Sequence, residues 1–532
     1  TSSSPARAWT VGGSTPRALI TVALAVLAVA GVTALVFLVR AGGDPAGAAT
    51  WPITWELRSS DNGPLFQFMQ DVVAGRTLDW SFSPQVFVFP ELPISALAFA
   101  ITGGSIYGYY LVVAMLNAVL MFLALLALLR VLWRGEPIGT GVLRAFVSMV
   151  PLLVLPLVGT SWIFSFHLAP TYYIGMYLAL VAAPVMLLTE SQAVRIAMGV
   201  ALALTIASNP LTLLFAAPGL VTVFVLGMRR SGWRAMRRPL VWAAGLLLTA
   251  GLLRLVFSPL QGTSPLTYVD LGVFQGRLAA IGPYFSFQAR DPAAAVILVL
   301  GIALAVVCLA AAVAAVIAFA REKGRPADRR LLAVVFLGSV PLGGLAATFV
   351  ALITHYYYFW PVMILPFALV LLALPRVAVP AALAPGSAIL LAVAVATGGL
   401  TNLGESQYDG YRTAETRCID AALPPGVVLG YATFSDARRL ALTSKTPFRL
   451  IQVDPAGTPT YWLTNRAYAR SEGGQFFYLN ESGDELTIDP AFLRAEFGEP
   501  DSVVSCSAGQ EVWIYTDDAK GDRIERFYAT DR

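Results

Sequence analysis

Of the carboxylates between positions 56 and 91, three are candidates for chemistry: Asp61, Asp71 and Glu91. A carboxylate held beside a hydroxyl can take its proton as a new bond forms, which is general-base chemistry. Cations and imidazoles lie further along. Arg254 sits inside an apolar run (LLRLVF), and Arg277 in DLGVFQGRLAAIG. The two histidines are His167, in SFHLAPTYY with Tyr172, and His355, in HYYYFWP with Tyr357. Each residue has a purely structural alternative. Asp61 or Asn62 could cap a helix opened by Pro64. Asp71 could be solvated or paired with Arg76. Glu91 could be a first-turn acid favoured by the helix dipole. Arg254 could snorkel to the surface, and His355 could sit in an interfacial aromatic belt. The chain has no Walker loop, HExxH, GxSxG or Cys/His cluster with zinc spacing.

The elements that must hold these residues follow from composition. The chain has 532 residues, 57% of them apolar and 13% charged, and its mean hydropathy is +0.70. Soluble domains are roughly 45–50% apolar and about 25% charged. An ordinary cytosolic enzyme, a disordered chain and a nucleic-acid binder are therefore excluded, and a polytopic α-helical membrane protein is expected. The net charge of +4 is no basic patch, because its cations fall in short clusters between apolar runs. Nearly all of them are Arg, the lysines being Lys323, Lys445 and Lys520. With the Ala- and Val-rich runs, that usage points to a GC-rich bacterial source.

A hydrocarbon layer of about 30 Å needs roughly 20 apolar helical residues. Eleven stretches qualify: 17–40, 105–130, 145–163, 170–189, 193–208, 211–228, 239–258, 294–320, 331–354, 356–375 and 380–400. The first is too long for a cleaved signal and is taken as a retained span. The segment 92–103 is short and suits an interfacial or re-entrant helix. Counting it as a span would move the clusters at Arg134–Arg144, Arg229–Arg238 and Arg321–Arg330 to the outer side, against the positive-inside rule. Eleven spans with the N-terminus inside leave two large outer parts. One is a long first loop, 41–104, with surface helices; its stripe Leu65, Phe68, Met69 and Val72 predicts an amphipathic helix from Pro64 to Gly75.

The other outer part is the tail, 401–532, which gains charge and carries strand-like runs (VVLGY, FRLIQV, TYWLTN, QFFYLN, VWIYT) around helical pieces. It is expected to be a small extracytoplasmic α+β domain following a membrane module, 1–400. Cys418 and Cys506 both lie in it, where a disulfide would persist; Cys308 is an apolar filler. Of the tail aromatics, Tyr461, Trp462, Phe476, Phe477 and Tyr478 could stack on sugars, with strand core favoured.

The architecture resembles that of the GT-C membrane glycosyltransferases: a first span, a long outer loop with an acid near its start and surface helices behind it, further spans, and a soluble outer domain. The resemblance implies transfer of a sugar from a polyprenyl-phosphate donor to a glycan or glycolipid acceptor at the outer face of a bacterial plasma membrane. It implies a monomeric enzyme, with arabinose or mannose as the sugars suggested by analogy. By the family pattern Asp61 is the base. Asn62 follows it where many members carry a second acid, so a single-base, inverting mechanism is the simpler one, with no metal ligands assigned and a Mg or Mn ion left open. Asp71 and Glu91 are secondary acids. The leaving phosphate needs a cation, for which Arg254, Arg277 and His355 are candidates; His167, Tyr172 and Tyr357 would contact substrate. The alternatives are a flippase or transporter, which would need charge at mid-membrane, and a polymerase or ligase of lipid-linked glycans. A membrane-anchored binding protein would not need eleven spans.

Overall fold

The computed structural model describes residues 15–41, 62–158, 169, 173–262, 292–321, 329–344, 414–427, 429–446, 448–469, 474–481, 488–507 and 509–529. The bundle consists of α1 (Thr15–Ala41), α2 (Pro64–Val73), a two-residue strand β1 (Trp80–Ser81), α3 (Glu91–Thr102), α4 (Ile106–Leu132), α5 (Ile138–Val158), α6 (Tyr173–Leu188), α7 (Gln192–Ser208), α8 (Leu211–Phe257), α9 (Pro292–Arg321) and α10 (Arg329–Gly338). Among the described residues five helical stretches are long and apolar enough to cross a membrane: Pro16–Phe37, Ile106–Leu132, Leu211–Arg229, Pro239–Leu260 and Val299–Phe319. Their outer faces are lined with exposed apolar side chains such as Leu27, Leu248, Leu252, Val299 and Val306. Apolar surface on that scale requires lipid around it. The two spans expected at 356–375 and 380–400 lie outside the described residues, so the count of eleven is not established.

The two halves of α8 were expected as separate spans joined by the Arg-rich loop 229–238. They are two helices that meet at a kink, where Gly232 leaves helical geometry with φ +70°, and Leu211–Arg229 and Pro239–Leu260 are each long and apolar enough to cross a membrane. Helix α3 has the short length expected of it and packs along α4. It ends at Gly103, whose left-handed conformation (φ +60°) reverses the chain.

Three of the expected inner loops gather at one end of the bundle. Glu190 makes ion pairs with both Arg134 and Arg329. The guanidinium groups of Arg144 and Arg330 lie over the Trp133 ring, 4.3 and 3.5 Å from its centroid. The first loop and the tail occupy the other end, with the N-terminal ends of α4 and α6 and the C-terminal ends of α7 and α8.

The tail comprises α11 (Ala414–Ala422), β2 (Leu429–Ala432), α12 (Phe434–Thr443), β3 (Arg449–Gln452), β4 (Thr464–Asn465), β5 (Phe476–Glu481), α13 (Pro490–Phe497), β6 (Ser502–Ser507), β7 (Gln510–Tyr515) and α14 (Asp518–Ala529). Five strands form one mixed sheet in the order β3-β2-β5-β7-β6. Strand β2 runs parallel to β3 and β5, and β7 antiparallel to β5 and β6. The period-2 alternation of β5 places Phe476 and Tyr478 on one face under α13 and α14, and Phe477 and Leu479 on the other under α11 and α12. Both faces are covered, which is why the strands read as nearly continuous apolar runs. Phe476, Phe477 and Tyr478 are fully buried sheet core. TYWLTN departs from expectation. Only Thr464 and Asn465 pair, and their partner is Trp80–Ser81 of the first loop, not the tail sheet.

Candidate functional site

The first loop is fastened from three sides. The bundle holds it through backbone: Val86 N donates to Ser208 O (2.9 Å), Phe89 N to Ser208 Oγ (2.9 Å) and Phe82 N to Leu260 O (2.7 Å). The tail holds it through the antiparallel β1–β4 pair, the Ser81 Oγ bond to Tyr461 O (2.6 Å) and the Arg466 N bond to Asp79 O (2.7 Å). Its start rests on α4, where the buried Tyr110 hydroxyl donates to Asn62 O at 3.0 Å. Gly63 follows and lies against Leu442 of α12, whose Cδ1 would be 2.5 Å from an added Cβ. Gly63 is the N-cap of α2 and has no side-chain cap, so the capping role open to Asp61 or Asn62 is not taken by Asn62.

Helix α2 is not a free surface helix. Leu65, Phe66, Gln67, Met69 and Asp71 are buried, while Val72 and Val73 are exposed. The buried face is rotated from the expected stripe because α2 packs on α3 and on α12 as well as on the bundle.

Asp71 has no exposed surface. Its Oδ1 accepts from Arg76 Nη1 (3.0 Å) and from the Tyr468 hydroxyl. Its Oδ2 accepts from Trp80 Nε1 (2.9 Å) and Asn465 Nδ2 (2.8 Å). The pairing with Arg76 was one of its two expected states; solvation is not what occurs. Four donors on two oxygens make Asp71 an anchor between loop and tail, with no lone pair left facing a substrate. Burial and the Asp71 charge both push the Tyr468 hydroxyl pKa upward, so Tyr468 stays a donor.

Glu91 opens α3 and is also buried. Its Oε1 accepts from Gly175 N at 3.1 Å, at the start of α6. Burial pushes its carboxyl up to about 7, against the lowering effect of its own and the Gly175 backbone N–H. A Cβ on Gly175 would lie 2.8 Å from that oxygen, so only glycine admits the carboxyl here. Glu91 is thus a proton-exchanging group near neutral pH, seated between loop and bundle.

Arg254 was a candidate for a phosphate. It donates from Nη1 to Ala207 O (3.0 Å) and from Nη2 to Pro84 O (2.6 Å). It neither snorkels outward nor offers both arms to a ligand; it ties the loop to the ends of α7 and α8.

Sequence reasoning missed Arg438, Gln67, Asn465 and Tyr468. Arg438, on α12, is 1% exposed. Its Nη1 donates to Gln67 Oε1 at 2.7 Å, while its Nε and Nη2 have no partner. Burial pulls its pKa down to about 10, against the fields of Tyr468 and Asp71. A signal was there to find: Phe434, Arg438 and Leu442 recur at helical spacing, which puts an arginine on an otherwise apolar stripe.

Asp61, His167, Tyr172, Arg277, His355 and Tyr357 lie outside the described residues. Cys418 and Cys506 form a disulfide joining α11 to β6, and Cys308 is buried in α9. Tyr461 and Trp462 are half-buried where tail and loop meet. Among the described residues no group of three or more His, Cys, Asp or Glu gathers where it could hold a metal ion.

No family model matches the chain, and no curated protein sequence matches it. Among solved structures it is similar to the crystal structure of ArnT from Cupriavidus metallidurans in the apo state. The likeness has 13% identity and a TM-score of 0.41, and covers 94% of this chain and 98% of that one. At this level it assigns no residue a role and decides no activity.

Proposed function

We propose that the chain is a membrane glycosyltransferase that moves a sugar from a polyprenyl-phosphate donor to a cell-envelope glycan or glycolipid on the outer face, with inversion. Asp61 is the general base. It removes the acceptor hydroxyl proton as that oxygen attacks the anomeric carbon from the face opposite the phosphate. The bond from that carbon to the phosphate oxygen breaks, and the electron pair leaves on the polyprenyl phosphate.

The observation that supports this reading is the fastening of the chain next to Asp61. Asn62 is 3% exposed, its carbonyl is held by Tyr110, and Gly63 is pressed on Leu442. A base works by being held within hydrogen-bond reach of its proton, and a clamped neighbour restricts where the carboxylate can go. Asp71, the next acid, has its oxygens occupied and is less suited to the task. An apolar cavity of about 650 Å³ between α6, α7 and α8, lined by residues such as Ala183, Leu202, Leu213 and Leu246, has the size and character to admit a lipid chain.

The test is transfer of radiolabelled sugar from a panel of polyprenyl-phosphate sugars by purified protein. Wild type is expected to transfer from at least one donor, and Asp61→Asn to lose that transfer by about 100-fold or more. Wild-type rates in Asp61→Asn would move the base to Glu91. A parallel EDTA arm decides the metal. Binding of donor without transfer by wild type would favour a flippase.

A further inference from the structure

We propose that Arg438 is an anion-binding residue that the tail contributes to the loop, and that the anion is the phosphate of the lipid-linked donor. The inference rests on the transferase reading for the identity of the ligand, but not for the existence of the site.

Arg438 and Leu442 stand one helical turn apart on α12 and face the same short stretch of chain. Leu442 meets Gly63, and Arg438 meets Gln67, whose N–H bonds back to Gly63 O. The guanidinium therefore sits beside the first turn of α2, which begins three peptide bonds on from Asp61. A buried guanidinium normally faces a carboxylate, because an uncompensated charge is costly out of water. Here its one hydrogen-bond partner is a neutral amide. The carboxylate whose field reaches it, Asp71, is already filled by Arg76, Trp80, Asn465 and Tyr468.

The two groups left over are Nε and Nη2, which lie along one edge of the planar fork. That edge carries two parallel N–H donors, the geometry that grips two oxygens of one phosphate. A purely structural arginine would be expected to spend that edge on carbonyls, as Arg254 spends its two Nη groups. A phosphate at Arg438 would place the leaving group beside the segment that carries the base, with the cation opposite the charge that develops on it.

The experiment uses the full chain in detergent and measures equilibrium binding of three probes: farnesyl phosphate, farnesol and inorganic phosphate. Wild type is expected to bind farnesyl phosphate at least tenfold more tightly than either of the others. Arg438→Met is expected to lose at least tenfold in farnesyl phosphate affinity with farnesol unchanged, and Arg438→Lys, a point charge without the fork, to fall between. The thermal midpoint of Arg438→Met should equal or exceed that of wild type, since an uncompensated buried charge is removed. Unchanged farnesyl phosphate binding in Arg438→Met overturns the proposal. So does a lowered midpoint with equal loss of farnesyl phosphate and farnesol binding, which would make Arg438 a fastener. Inorganic phosphate binding as tightly as farnesyl phosphate would overturn the lipid assignment. If no sugar donor supports transfer and phosphate binding still depends on Arg438, the site stands and the transferase falls. If wild type transfers and Arg438→Met binds and transfers equally well, the transferase stands and the site falls.

Discussion

Asp71 and Glu91 are both buried carboxyls of the first loop, and their hydrogen-bond surroundings differ. Asp71 has four hydrogen-bond donors, one of them cationic. Glu91 has only backbone N–H groups to offset its burial. The pairing of Asp71 with Arg76 could be foreseen from their spacing; Trp80 was close enough in sequence to suspect, but Asn465 and Tyr468 are nearly 400 positions away and could not be. The pH consequence belongs to Glu91. Its carboxyl rises from 4.5 to about 7 on folding. The folded state therefore holds the proton more tightly, and stability is greatest below 4.5 and falls as pH rises through 7. At about 1.4 kcal/mol per unit, the loss is on the order of 3 kcal/mol. Thermal unfolding from pH 5 to pH 8 should show a declining midpoint in wild type and a visibly flatter one in Glu91→Gln. Parallel slopes would mean that Glu91 does not titrate in this window.

At the scale of elements, the first loop is held by short pieces that look unremarkable in the sequence. Strand β1 is two residues long, and its partner β4 lies in the tail. Gly262, just after α8, fits into the same junction. A Cβ there would lie 2.2 Å from Phe82 O and 2.9 Å from Tyr461 O, both rigid backbone atoms. Gly262→Ala should therefore cost about 1–3 kcal/mol, as overpacking typically does. Gly245, inside α8, has nothing within 4 Å of an added Cβ. Gly245→Ala should leave the midpoint unchanged or raise it, because alanine is the better helix former by about 1 kcal/mol. Thermal unfolding of the two variants side by side checks the pair, and equal losses would sink the argument from contact at Gly262.

At the scale of the whole molecule, the segments carrying Arg134, Glu190 and Arg329 share one end and the loop–tail assembly the other. If the tail lies outside, as the charge pattern predicts, its disulfide should form and persist in the cell. Alkylating free thiols before and after reduction, in protein isolated from its membrane under native conditions, should reveal two cysteines only after reduction. Free thiols at Cys418 and Cys506 would put the tail on the reducing side. The bridge closes a sequence separation of 88 residues, so Cys418→Ser with Cys506→Ser should lower the stability of the tail by about 2–4 kcal/mol.

The membrane class, several of the spans, the shortness of α3 and most of the tail strands were legible from hydropathy, charge order and the period-2 runs. Those properties are local: a span or a strand carries its own apolar pattern wherever it finally packs. The face that α2 buries, the occupation of Asp71, the work of Arg254 and the isolation of Arg438 were decided only by tertiary contact. Each depends on which distant residue arrives beside it. A carboxylate met by four donors and a guanidinium met by one amide look alike in a sequence, and the difference between anchor and binding group lies entirely in what surrounds them.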